Sequence, residues 1–481
     1  MARTALALCA ASLGIALAGC GTTVPLSQRG ATSDGLGTVP NQDSAATPGA
    51  ARATAVASAV QGTPRVGTDR VPQTTSRPDA IPTSASLAVS HIPIRVGVLY
   101  ANGVEQTAKA FGISGLTTGD TKAQAAAVLA WVNAHGGMGG HPVVPVYYGI
   151  STSDSANDPD GAAQAACASL TQDSKVRFVV TILNLRPVDL PCYSRAGVGI
   201  LDDESSVSEE TMQKYADFLA APGELSQGRL ARVMVDHLWN RGWLTRSSKV
   251  GSLVFDTPDG ASMVVALSKA LKAHGLSIVE DQRQANDASG VGQASGIALK
   301  YRAAGVDRVI PIGSSPLFVM EAASSQGYHP AYAVNSSFGP GALLETAAPK
   351  DELANSAGVG WQPHLDIGAG TKPGPVSPRE SLCFRLMAAS GQASTAATVQ
   401  GFQLQVCNTI WYLQDAIAAL PSIPAGLLTA ARPLLGSRFV SADTFRTDVT
   451  HHVDGVAGYR ALAYEKDCSC YQYVSPVLPA P

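Results

Sequence analysis

The stretch Ala127–Tyr148, AVLAWVNAHGGMGGHPVVPVYY, constrains the fold more than any other part of the chain. From about Thr121 the run KAQAAAVLAWVNA consists of strong helix formers, and Val128, Leu129, Trp131 and Val132 fall at the spacing of one buried helical face. His135-Gly136-Gly137 ends the helix, since a glycine past the last turn takes the left-handed cap without a Cβ clash. Gly139-Gly140 gives a second turn, and Pro142–Tyr148 reads as a strand that Pro145 keeps out of a sheet interior. A helix closed by paired glycines and followed at once by a strand is one step of an α/β wind.

The N-terminus carries one early positive charge, Arg3, then the apolar run ALALCAASLGIALAG, then Cys20. This is the pattern of a signal segment, too short to remain as a membrane helix. Leu17-Ala18-Gly19-Cys20 resembles a bacterial lipobox, which implies cleavage before Cys20 and a diacylglycerol on its sulfur. The expected location is the outer face of the bacterial cell membrane, with lipid as the anchor. Residues 20–92 are rich in Thr, Ser, Ala, Pro and Gly and precede the first aromatic residue, Tyr100, so they read as a tether without a core.

About 390 residues remain, which suits two cores better than one. The net charge of −3 comes without a basic stripe, which argues against nucleic acid as a partner. Six cysteines follow the lipobox: Cys167, Cys192, Cys383, Cys407, Cys468 and Cys470. An even number in an exported chain suggests disulfides.

The first lobe opens with strand Ile94–Tyr100, followed by the helix and strand of the opening stretch, helix Gly161–Leu170, strand Arg177–Leu183, a helix near Pro191–Ala196 and strand Val198–Asp202. This alternation predicts a doubly wound parallel sheet. In the strand order 2-1-3-4-5, the helices bearing Cys167 and Cys192 lie side by side, so these two are expected to bond. Cys383 and Cys407 sit on two later helices, Pro378–Ala389 and Ala396–Leu420, and form the second expected pair. Cys468–Cys470 is left as the third. A second lobe begins with helix Gln227–Arg241 and continues through strands Lys249–Phe255, Leu276–Asp281, Asp307–Ile312 and Ala331–Val334. The last of these, and then Ala357–Pro363, are expected to lead back to the first lobe.

Val132–Gly140, with its "NAxGGxxG" pattern, together with Asp158-Pro159 and Gly327-Tyr328-His329-Pro330, resembles periplasmic binding proteins of the leucine/isoleucine/valine-binding type, the substrate receptors of ABC importers. The resemblance implies two doubly wound lobes joined by a three-strand hinge. The expected divisions are a signal peptide (1–19), the tether (20–92), first lobe (93–221), second lobe (222–334), first lobe again (335–420) and a last crossover with C-terminal strands (421–481).

Ligands of doubly wound sheets bind beyond the carboxyl ends of the strands. The loops in question hold Asn184, Ser205 and Ser206 in one lobe and Asp259, Ser314, Ser315, Asn335 and Ser336 in the other. By resemblance Ser205 and Ser206 match a carboxylate-binding loop. Asp259 stands where many members place an aromatic, and Asn335 or Ser336 where amino-acid binders place a carboxylate. Hydroxyls, amides and helix N-termini suit a carboxylate, and an opposing acid suits an ammonium group. The expected ligand is an amino acid or a related carboxylate or amide, and the expected partner is an ABC permease. A lobed sensor or envelope scaffold of the same fold is the alternative.

Catalytic and metal motifs are missing from the sequence. There is no G-x-S-x-G elbow, phosphate loop or H-E-x-x-H, so neither an enzyme nor a cofactor is expected. His451-His452 with Asp454 lacks further ligands at metal spacing, and Asp154–Gly161 misses the calcium-loop pattern. Asp160 is expected to cap the helix that follows.

Overall fold

The computed structural model describes residues 92–110, 115–183, 185–203, 207–346, 348–367 and 377–481. The signal segment, Cys20 and the tether lie outside the described residues, as do Asn184, Ser205 and Ser206.

The first sheet holds β1 (Ile94–Asn102), β2 (Val143–Ser151), β3 (Phe178–Ile182), β4 (Gly199–Asp202) and β5 (Leu219–Ala220), all parallel, in the order β2-β1-β3-β4-β5. Alternation along β1 sends Ile94, Val96 and Val98 into one apolar cluster and Leu99 into another, so both faces are covered. Helix Thr121–Ala134 buries Val128, Leu129 and Val132 on the first of these faces, and Pro145 is accommodated because β2 is an edge strand. At Gly137 the backbone has φ +76°, and a Cβ would meet the His141 carbonyl oxygen at 2.1 Å, so this turn admits only glycine. Helix Pro159–Ala168 is capped by Asp158, whose carboxylate accepts from the Gly161 N–H at 2.9 Å, rather than by Asp160 as expected. Pro159 takes the first helical position, where its missing N–H is harmless, and this moves the cap back to Asp158.

The second sheet holds β6 (Val250–Phe255), β7 (Ile278–Gln284), β8 (Arg308–Pro311), β9 (Ala331–Asn335), β10 (Ala357–Gly360), β11 (Gly458–Glu465), β12 (Cys470–Tyr473) and β13 (Leu478–Pro479). Its order is β12-β11-β10-β9-β8-β6-β7, with β13 paired to β11. Strands β6 to β10 are parallel, and β11 joins β10 antiparallel. Two expectations are corrected here. Neither Ala331–Val334 nor Ala357–Gly360 returns to the first lobe; both belong to the second sheet. Gly358 lets β10 pack against Val334, so β10 pairs with β9, and the chain crosses only after Trp361.

Helices Pro378–Ala389 and Ala397–Ala418 pack back onto the first sheet. Cys383–Cys407 joins them, and Cys167–Cys192 joins the two helices on the sheet's other face. Cys468–Cys470 closes the turn between β11 and β12.

The chain crosses between lobes three times, near Ala221–Glu224, Trp361–Gln362 and Asp443–Val456. The first and third crossings pair through Ala221 N–H to Val453 O at 3.0 Å and Gly455 N–H to Ala221 O at 2.9 Å. Asp454 accepts from Ser226 N–H and from Arg229 Nη1, both at 2.7 Å, in an ion pair whose side chains are 3% and 4% exposed. Arg229 also donates to the Val456, Ala480 and Pro481 carbonyls. The Trp361 indole N–H donates to Gly223 O at 3.1 Å, bringing in the second crossing.

Buried acids surround this hinge. A Cβ on Gly223 would meet Asp443 Oδ2 at 2.8 Å and the Asp203 carboxylate at 2.9 Å, so glycine lets both acids approach the crossing. Burial, followed by repulsion from Asp443, pushes Asp203 well above the carboxylate range; burial pushes Asp443 up to about 7. Among the described residues, Asp443 Oδ2 and Gln362 Oε1 have no hydrogen-bond partner, and both residues line one small pocket beside the hinge.

Two outcomes follow from the hinge. Asp454→Ala leaves the Arg229 guanidinium buried and uncompensated, and urea unfolding is expected to show a loss of about 3–5 kcal/mol. The hinge acids keep their protons to higher pH in the folded than in the unfolded chain, so the folded state binds more protons from about pH 4 to 7. Stability should therefore fall as pH rises through that window. Melting curves of Asp443→Asn, which imitates the protonated acid, should show a shallower fall.

Candidate functional site

The carboxyl ends of both sheets face one crevice, which holds a cavity of about 360 Å3. That volume is in the range of small-molecule sites. Its body is apolar: Phe255 at the end of β6, Phe338 and Leu365 from the second lobe's later loops, and Ile182, Leu183 and Phe402 from the first lobe. Polar groups are sparse and are mainly hydroxyls and amides. Among the described residues no Lys, Arg or His lines it, and Glu224 is its one acid.

Ser314, Ser315 and Ser336 reach this wall, and each is used differently. Ser314 follows Gly313, whose φ of +64° turns the chain sharply at the end of β8. Ser314 is 3% exposed, and its buried hydroxyl has no hydrogen-bond partner among the described residues. Such a buried hydroxyl calls for water or a ligand group. The Ser315 hydroxyl accepts at 3.4 Å from the Leu317 N–H at the next helix start, a capping role. The Ser336 hydroxyl donates to Asp366 Oδ2 at 2.9 Å and accepts from the Trp361 N–H at 2.7 Å, so it serves the hinge. Burial raises Asp366 to about 7, opposed by hydrogen bonds from Tyr473 and Ser336.

Asn335 and Asp259 lie off the cavity wall. Asn335 is buried and accepts from the Ser337 N–H at 2.9 Å, closing a short turn. Asp259 is committed to the opposite lobe. Its Oδ2 accepts from the Ser208 N–H and its Oδ1 from the Thr211 hydroxyl, each at 2.7 Å. The pair Arg232–Glu209 at 3.0 Å and the bond from Ala288 N–H to Ala156 O at 3.0 Å also join the lobes. Asp259 therefore fastens lobe to lobe, where the sequence suggested a ligand contact.

The sequence reading missed Phe255, Phe338, Gln362 and Gln405 on the wall. Phe402, on helix Ala397–Ala418, packs partly against the first core as well as lining the cavity. Outside the cleft, His329, Asp351 and Glu352 bring three donor atoms within 4.8 Å of one another. The hydrogen-bonded pair His329–Glu352 at 2.7 Å is enough to explain that grouping.

Similarity to known proteins agrees with this architecture. Residues 93–372 match the family described as periplasmic binding protein. A solute-binding protein of an ABC transporter from R. palustris, solved with 4-hydroxybenzoate, is 16% identical, with a TM-score of 0.57 over 81% of this chain and 98% of that one. An ABC transporter substrate-binding protein from Desulfitobacterium hafniense, in complex with Leu, is 14% identical, with a TM-score of 0.53 over 79% and 100%. A branched-chain amino acid transporter substrate-binding protein from Streptococcus pneumoniae, in complex with isoleucine, is 13% identical, with a TM-score of 0.52 over 80% and 99%. At such identities the likeness is one of fold. Among curated proteins there is no match. The family match spans more than half of the sequence and coincides with two wound sheets around one cleft: the chain belongs to the periplasmic binding protein family.

Proposed function

We propose that this protein is an extracytoplasmic solute receptor that captures a small molecule between its lobes and delivers it to an ABC permease. The observation that carries the reading is the cleft cavity, with its apolar body and the unpartnered Ser314 hydroxyl. Such a wall suits a solute with an apolar or aromatic body and one hydrogen-bonding end, among amino acids and related carboxylates and amides. With no cation on the wall among the described residues, a carboxylate end would be held by hydroxyls, amides and helix N-termini.

A thermal-shift screen of amino acids, aromatic acids and amides tests this, since a ligand of the folded state raises its melting temperature by mass action. Ser314→Ala should leave the unliganded melting temperature near that of the native protein and weaken the best hit by about three- to tenfold in calorimetry. A screen without hits would favour the sensor or scaffold alternative. We further propose lipid anchoring at Cys20, motivated by the LAGC sequence. Cys20→Ala should move the protein from the membrane fraction to the soluble one, and continued membrane association would refute the anchor.

A further inference from the structure

A second cavity, of about 270 Å3, opens on the other face of the first sheet. It shares Ala101, Leu183 and Phe255 with the cleft cavity, so the two chambers are neighbours at the ends of β1 and β3. Its floor is apolar, with Leu99, Val179 and Ile200 from the sheet. Its polar groups include Tyr193, Arg186, Asp189 and, from the second lobe, Asn286.

Tyr193 is 2% exposed, yet its hydroxyl has no hydrogen-bond partner among the described residues. Helix Leu190–Arg195, tied by Cys192 to Cys167, holds it in place. Arg186 and Asp189 stand 3.5 Å apart, and Asp189 also accepts from the Arg186 backbone N–H at 2.9 Å. The remaining Arg186 contact is a bond to Pro159 O at 2.7 Å. The chamber's charges thus cancel. A charged group entering it would have to break the Arg186–Asp189 pair to gain a counter-ion. A neutral group that both donates and accepts matches a tyrosine hydroxyl and an asparagine amide.

We propose that this chamber is a second ligand subsite, taking an uncharged hydroxyl or carboxamide at the far end of an elongated solute whose apolar body lies in the cleft cavity. The proposal rests on the solute-receptor reading and narrows its ligand class.

Calorimetry on the full chain with benzamide, 3-phenylpropanamide and 3-phenylpropanoate tests it. The longer amide should bind about tenfold tighter than benzamide and tighter than the carboxylate of equal length. Tyr193→Phe and, separately, Asn286→Ala should reduce the preference for the longer amide by several-fold while leaving benzamide binding unchanged. Equal binding of the two amides, a preference for the carboxylate, or a preference that survives both substitutions would overturn the subsite. If the ligand screen succeeds but neither amide binds, the subsite falls and the receptor reading stands. If the screen and every probe fail, both fall.

Discussion

Three crossing segments cannot pair as a regular sheet along their whole length, so the backbone groups left over inside the hinge must find side chains. The Arg229–Asp454 pair meets this demand and fixes the rest. Asp454 takes the Ser226 N–H, while Arg229 takes the carbonyls of Val456, Ala480 and Pro481. Ser336 and Asp366 do the same for the backbone N–H groups of Trp361 and Gln362. Directional polar contacts thus join the apolar cluster of Leu225, Trp361 and Val456 in holding the sheets, and so the shape of the cleft. A buried polar cluster of this kind tolerates few alternative geometries, since a half-satisfied network is costlier than an apolar one.

Much of the fold was legible because it is written locally. The glycine pair after Ala134, the alternation in β1 and the strand–helix rhythm specify a wound sheet without reference to distant residues. Where the reading went astray, a non-local contact decided. Strand β10 has the composition of any short buried strand, and only its fit against Val334 and β11 places it in the second sheet. Asp158 and Asp160 both lie at the start of a helix, and the position of Pro159 between them chooses the cap.

The site was less legible than the fold. Strand ends located the right loops, yet loop position does not say what a side chain touches. Asp259, Asn335 and Ser336 meet protein partners, whereas the Ser314 hydroxyl on the cavity wall has none among the described residues. The aromatic wall escaped notice because a phenylalanine lining a cavity and one filling a core follow the same periodicity.

The contacts around Asp259 bear on how long a solute stays. Two strong hydrogen bonds, supported by Arg232–Glu209, join the lobes at a point off the cavity wall. They favour the shut arrangement whether or not the crevice is filled, so a bound molecule has to supply less of the free energy of shutting. The same bonds must part before it can leave. The residence time of a molecule in the cleft would then depend partly on an acid that lies off the cavity wall, which separates the speed of release from the fit of the molecule held there.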